Sequence, residues 1–133
     1  MRLDFKGKAR PAKFFFGGKN TQEVAQITRE QQAALWKNVP IQGINIIEIN
    51  EGEIYTVLDE EEEEIAYAPL IIDVKVDSLE DVVRFVVKEE FRRLEIVEPD
   101  RLSLSRQEIE RLLFKFHLSA RDQVFLELKK NLE

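Results

Sequence analysis

Apolar residues recur at helical spacing in two stretches of this chain. Leu79, Val82, Val83 and Val86 follow Ser78, and Ile109, Leu112, Leu113 and Phe116 follow Ser105. Each set occupies the i, i+3, i+4, i+7 positions that share one face of a helix. Each serine has an acid three residues on, Asp81 and Glu108, so a side-chain oxygen can take an orphan backbone N–H while the acid sits near the positive end of the helix. The same start pattern occurs at Asn20/Glu23 and Ser119/Asp122, which predicts four helices. The first spans 21–37 on Val24, Ile27, Ala34 and Leu35, with Gln31 interrupting that face and Trp36 and Val39 completing its anchor. The fourth spans 120–132 on Val124, Phe125, Leu128 and Leu132 and follows the third so closely that residues 105–133 are expected to form a C-terminal helical hairpin, jointed at Ser119.

Strand signals lie at 12–16, 44–49, 53–58, 63–68, 70–76 and 93–97. The clearest is Ile72, Val74 and Val76 alternating with Asp73, Lys75 and Asp77, a strand with one buried face. Asn50, Glu51 and Gly52 suit a hairpin turn, as do residues 59–62, whereas Pro69 is expected to interrupt pairing. The order β-α-β-β-β-α-β-α-α predicts an α+β fold: one layer of mostly antiparallel sheet with about five or six strands. Its helices lie on one face, and its connections are split-βαβ-like.

At 133 residues the chain fits a single domain that buries about two-thirds of its unfolded surface. Charged residues make up 35%, above the roughly 25% usual for soluble domains, a bias compatible with a thermophilic protein. Cysteine is absent, which excludes disulfides, a thiolate nucleophile and thiolate metal or iron–sulfur sites. His117 is the only histidine, so a two-histidine metal site within one chain is excluded, and its expected place at the end of the third helix suits capping. No apolar run approaches the ~18 residues of a membrane span and no signal-peptide core is present, which predicts a cytoplasmic protein.

The net charge of −6 conceals a polarised chain. Residues 1–19 carry Arg2, Lys6, Lys8, Arg10, Lys13 and Lys19 against the single acid Asp4. Residues 48–64 carry nine acids and no Lys or Arg, ending in Asp59, Glu60, Glu61, Glu62, Glu63 and Glu64. Polarity of that kind bears on partners. The segment 1–11 reads as a basic arm or edge strand. The acidic run lacks the spacing and glycine of a calcium loop, so it reads as a solvated hairpin tip able to meet a cationic partner, and no metal or cofactor is expected. Basic residues interleaved with Phe5, Phe14, Phe15 and Phe16 are ingredients of single-strand nucleic-acid binding, but a pI near 5.0 and the acidic run oppose it.

The one candidate ligand site is the turn Gly17-Gly18-Lys19-Asn20-Thr21, where a strand running through paired glycines into a capped helix can offer free N–H groups to a phosphate or carboxylate. Lys13 or Lys19 would supply the charge. It is not a Walker loop: Lys13 stands where the first glycine should be, and Asn20 where a hydroxyl should follow Lys19. The alternative is a strand-to-helix turn needing small residues. Ser103, Ser105 and Ser119 lie near His117 without a nucleophile elbow, and Asp73, Lys75 and Asp77 read as the wet side of a sheet, so no catalytic residues are assigned.

Three functional readings follow. The first is a small non-enzymatic interaction or regulatory protein acting as a homo-oligomer, a dimer through the terminal hairpin, because Phe114, Phe116, Phe125, Leu126 and Leu128 exceed what one buried face needs. The second is a binder of, or enzyme on, a small anionic ligand at the glycine turn. The third is nucleic-acid binding through the basic arm.

Overall fold

The computed structural model describes residues 1–8 and 20–132. Among these, five strands form one antiparallel sheet: β1 (Arg2–Lys8), β2 (Ile44–Glu51), β3 (Tyr55–Leu58), β4 (Glu64–Val76) and β5 (Phe91–Arg93). Helix α1 (Thr21–Asn38) follows β1. A 3₁₀ turn (Leu79–Val82) running into the single turn α2 (Val83–Val86) follows β4, and α3 (Arg106–Leu132) closes the chain. The strand order β2-β4-β1-β5, with β3 also on β4, gives the expected α+β class. Because β1 and β2 are both antiparallel to β4, and β4 and β5 both antiparallel to β1, each helical crossover links two parallel strands with a third between them. That is the split-βαβ arrangement, present twice.

The expected strand at 12–16 lies outside the described residues. Residues 2–8, expected as an arm or edge strand, instead form an interior strand with Leu3, Phe5 and Gly7 on one face and Arg2, Asp4, Lys6 and Lys8 on the other. The last strand sits at Phe91–Arg93 rather than 93–97. The expected strands 63–68 and 70–76 are one strand, β4, running through Pro69. Proline is tolerated there because the Pro69 carbonyl accepts the Gly52 amide at 3.0 Å, so its missing N–H points to the gap between β2 and β3, not into the β1 ladder. Asp4, opposite Pro69 on β1, likewise sends its amide the other way, to the Glu90 carbonyl at 2.9 Å. A bulge at Ile47 in β2 lets Ile44, Ile46 and Ile49 all face inward.

Helices α1 and α2 cover the inner face, where Leu3, Phe5, Leu70 and Ile72 meet Trp36 and Phe85. Trp36 stands between the two phenylalanine rings, 6.1 Å from Phe5 and 5.4 Å edge-on from Phe85. The buried face of α1 is Thr21, Ala25, Arg29, Ala33 and Trp36, and Leu35 and Ala34 of the expected face are exposed. The helix turns its small residues inward because it approaches the sheet closely: a Cβ added at Gly7 would lie 2.3 Å from the Ala25 nitrogen and from the Thr21 carbonyl oxygen. Ala66 and Ala68 of β4 complete this small-residue seam with Ala25.

The N-caps follow expectation at three of four places. Asn20 Oδ1 accepts the Glu23 amide at 2.8 Å, and Ser105 and Glu108 exchange reciprocal bonds of 3.1 and 3.3 Å. At Ser78 the Asp81 carboxylate accepts the serine amide at 3.0 Å. The fourth, Ser119, is no cap. The helical hairpin is replaced by one 27-residue helix, because no Gly or Pro interrupts the chain around Ser119 and an interior serine costs only about 0.5 kcal/mol relative to alanine. His117 consequently sits mid-helix rather than at a C-cap. None of the described helices is long and apolar enough to cross a membrane.

Gly7→Ala should force β1 and α1 apart, since the obstacles are backbone atoms that no rotamer change can move. The expected loss is about 1–3 kcal/mol or more, read as a lowered urea midpoint, whereas Lys6→Ala on the opposite face should leave the midpoint nearly unchanged.

Candidate functional site

Of the glycine-turn residues, Lys13, Gly17, Gly18 and Lys19 lie outside the described residues. Asn20 and Thr21 are both committed to the fold. The Asn20 side chain caps α1, and the Thr21 hydroxyl donates to Glu64 Oε1 at 2.7 Å. That contact brings a carboxylate to the start of α1, where an anion would have to sit, so these two residues do not favour an anionic ligand.

The acidic run closes the β3–β4 hairpin. Asp59 Oδ1 accepts the amides of Glu61 at 2.8 Å and Glu63 at 2.9 Å, and Glu62 adopts a left-handed φ of 60°. Among the described residues no group of three or more His, Asp or Glu is arranged to hold a metal. Asp73 and Lys75 are exposed on the outer face of β4, and Asp77 lies beyond its end.

Two buried polar clusters escaped the sequence reading. On the outer face, Asp4 is only 2% exposed although it stands on a charged strand face. Arg2 donates to Oδ1 at 2.9 Å and to Oδ2 at 3.2 Å, the Tyr55 hydroxyl donates to Oδ2 at 2.6 Å, and Arg92 Nε stands 3.7 Å from Oδ2. Tyr55 stacks on Tyr67 with ring centroids 5.4 Å apart, and the Arg92 guanidinium lies over the Tyr67 ring. The hydrogen bond to Asp4, and its charge, push the Arg2 guanidinium further up. Burial raises Tyr55 above its ordinary 10.0, and the bond to Asp4 and its charge raise it further, against the lowering effect of Arg92. The carboxylate is enclosed and already engaged through both oxygens, so it clasps β1, β3 and β5 together rather than receiving a substrate proton.

On the inner face, Arg29 of α1 is 5% exposed. Its Nη1 donates to the carbonyls of Gly52 at 2.8 Å and Pro69 at 3.1 Å, its Nη2 lies 3.5 Å from Glu51 Oε2, and its Nε finds no partner. It plugs the gap that Pro69 opens between β2 and β3.

The largest unsatisfied surface is α3. No residue of this helix is buried, and its main contacts are with the 3₁₀ turn and α2. Ile109, Leu113, Phe114, Phe116, Val124, Phe125, Leu126, Leu128 and Leu132 are all exposed, from 42% at Ile109 to 89% at Leu132. Even its inner side is unsealed: a groove of about 410 Å³ separates Lys115, Ser119 and Leu126 from Leu35, Trp36 and Val39. The apolar excess that the sequence placed on a hairpin is therefore spread along one projecting helix.

Tyr55→Phe should lower stability by roughly 1–2 kcal/mol at neutral pH through loss of the bond to Asp4. Because the folded-state value of Tyr55 is raised, its contribution is complete below about pH 10 and fades as pH rises through the raised value. Urea midpoints followed from about pH 9 to about pH 11 should therefore fall less in Tyr55→Phe than in the wild type. No family model matches this chain, and neither does any curated protein or solved structure.

Proposed function

We propose that this protein is a small non-enzymatic interaction or regulatory module that acts as a homo-oligomer, self-associating through α3. One observation carries the reading: a 27-residue helix with no buried residue displays nine large apolar side chains to solvent. At the areas usual for such side chains, this is on the order of 1,000 Å² of apolar surface, against the few hundred found in the largest patch of a typical monomer. It also reaches the ~800 Å² per partner of a stable interface. Against the 3₁₀ turn and α2 the helix is only half-buried, at residues such as Leu112 and Leu118, and a partner helix supplies further burial.

The chemistry of the described residues supports a non-catalytic role. The two buried charged clusters are closed and tie strands together, and the single imidazole stands exposed on α3, 6.5 Å from the Phe114 ring. Nucleic-acid binding through a basic arm is disfavoured because Arg2, Lys6 and Lys8 belong to an interior strand and the faces of Tyr67 are taken by Tyr55 and Arg92.

Light scattering on the eluting protein should give a mass of twice 15.6 kDa or a higher multiple at micromolar concentration. Leu113→Glu with Phe125→Glu should shift it to the monomer without loss of the β-sheet signal. A wild-type monomer would overturn the reading.

A further inference from the structure

We propose that two copies of α3 pair antiparallel through its exposed side, about a two-fold axis at the level of residues 118–119 along the helix; this rests on the reading of α3 as the self-association surface. Ile109, Leu113, Phe116, Ala120, Val124 and Leu128 follow one another at three- and four-residue spacing along the exposed side of the helix. Near the middle of this row the side chain is the small Ala120, half-buried beside Ser119, and the large ones flank it. Leu113 and Val124, and likewise Ile109 and Leu128, are equally spaced from the midpoint between Leu118 and Ser119. Turning one helix end for end on the other therefore sets Leu113 near Val124 of the partner subunit and Ile109 near Leu128 of the partner subunit, with the narrow middle allowing the backbones to approach. A two-fold contact requires such self-complementarity, and an unrelated docking partner does not.

Charge and dipole favour one direction. The first turns of α3 are balanced, with Arg106 and Arg111 beside Glu108 and Glu110, whereas the last turn carries Lys129 and Lys130. None of these six belongs to an ion pair among the described residues. Antiparallel pairing keeps the lysines of the two copies apart, brings them to the end of the partner helix that holds Glu108 and Glu110, and opposes the two helix dipoles. Parallel pairing would set lysine on lysine and glutamate on glutamate, which costs specificity and affinity together.

Because the chain contains no cysteine, the arrangement is testable by single introduced thiols bridged with a short bismaleimide. Ala120→Cys should cross-link to its own copy. Ile109→Cys and Leu128→Cys should each remain uncross-linked alone, since at 1.5 Å per residue a thiol at position 128 lies roughly 27 Å from its copy. Mixed and allowed to exchange, those two variants should give at least five-fold more covalent dimer than either alone. Self-cross-linking of Leu128→Cys would overturn the antiparallel pairing in favour of a parallel one. A dimer by light scattering in which no α3 position cross-links would overturn the use of this helix altogether. A monomer by light scattering would instead remove the self-association reading on which the proposal rests.

Discussion

The carbonyl of Pro69 accepts both the Gly52 amide and the Arg29 guanidinium, and the sheet is arranged around that junction. Among the described strands, β4 alone pairs with three others. It can do so on one edge only because β2 ends where β3 begins, at the point where proline has no amide to offer. β2 follows β4 up to the pair Glu51–Leu70, and β3 resumes at Tyr55–Tyr67. A strand with an alanine at 69 would call for a donor–acceptor partner in the gap; with proline, the gap needs only donors for the carbonyl, and Arg29 brings one from α1. The charge this buries is offset by carbonyl contacts and by Glu51 at the surface, an arrangement that is costly to break and that fixes where α1 sits over the sheet.

Asp4 performs the complementary task on the other face. β1 lies between β4 and β5, and the hydrogen-bonded ladder alone links β3 to β1 only through β4. The Tyr55 hydroxyl on Asp4 bridges that distance directly, and Arg92 extends the bridge to β5. The two faces of the sheet are thus each held by one buried ionic group, one cationic and one anionic, within a strand or two of each other. Neither is arranged around an open cavity, which is why both read as architecture. Among the described residues, nine of the nineteen large apolar side chains left exposed after these contacts lie on α3.

Much of this was legible in the chain, and the failures have identifiable causes. The caps at Asn20, Ser78 and Ser105 were readable because capping is local. The same pattern at Ser119 misled because a serine with an acid three residues on is also an ordinary interior sequence, and only a glycine or proline would have ended the helix. The alternation at Ile72, Val74 and Val76 located β4, but Pro69 hid its length, since the compensation comes from Gly52 and Arg29, distant in sequence. β1 carried a period-two signal in Leu3, Phe5 and Gly7 that its alternating charges masked. The inward face of α1 was misassigned because apolar bulk was taken as the mark of burial, whereas close approach to Gly7 selects alanine. The Asp4 cluster had no sequence signature: its members, from positions 2, 4, 55 and 92, meet only through the sheet order. The glycine turn, the one site the sequence put forward, lies mostly outside the described residues, and its described members serve the fold.

The place of β1 in the sheet carries a consequence for how the chain assembles. β1 precedes both of the strands it is wedged between, which arrive only with residues 64–76 and 91–93. It therefore cannot take its place in the sheet until those residues have been made. Leu3 and Phe5, among the most deeply buried side chains, must wait in solvent until nearly the whole sheet sequence is available. Closure of such distant pairings makes for slow folding and leaves an unpaired apolar strand exposed in the interval. The charges on alternate positions of β1 bear on that interval, since a strand carrying Arg2, Lys6 and Lys8 resists pairing with its like while it waits.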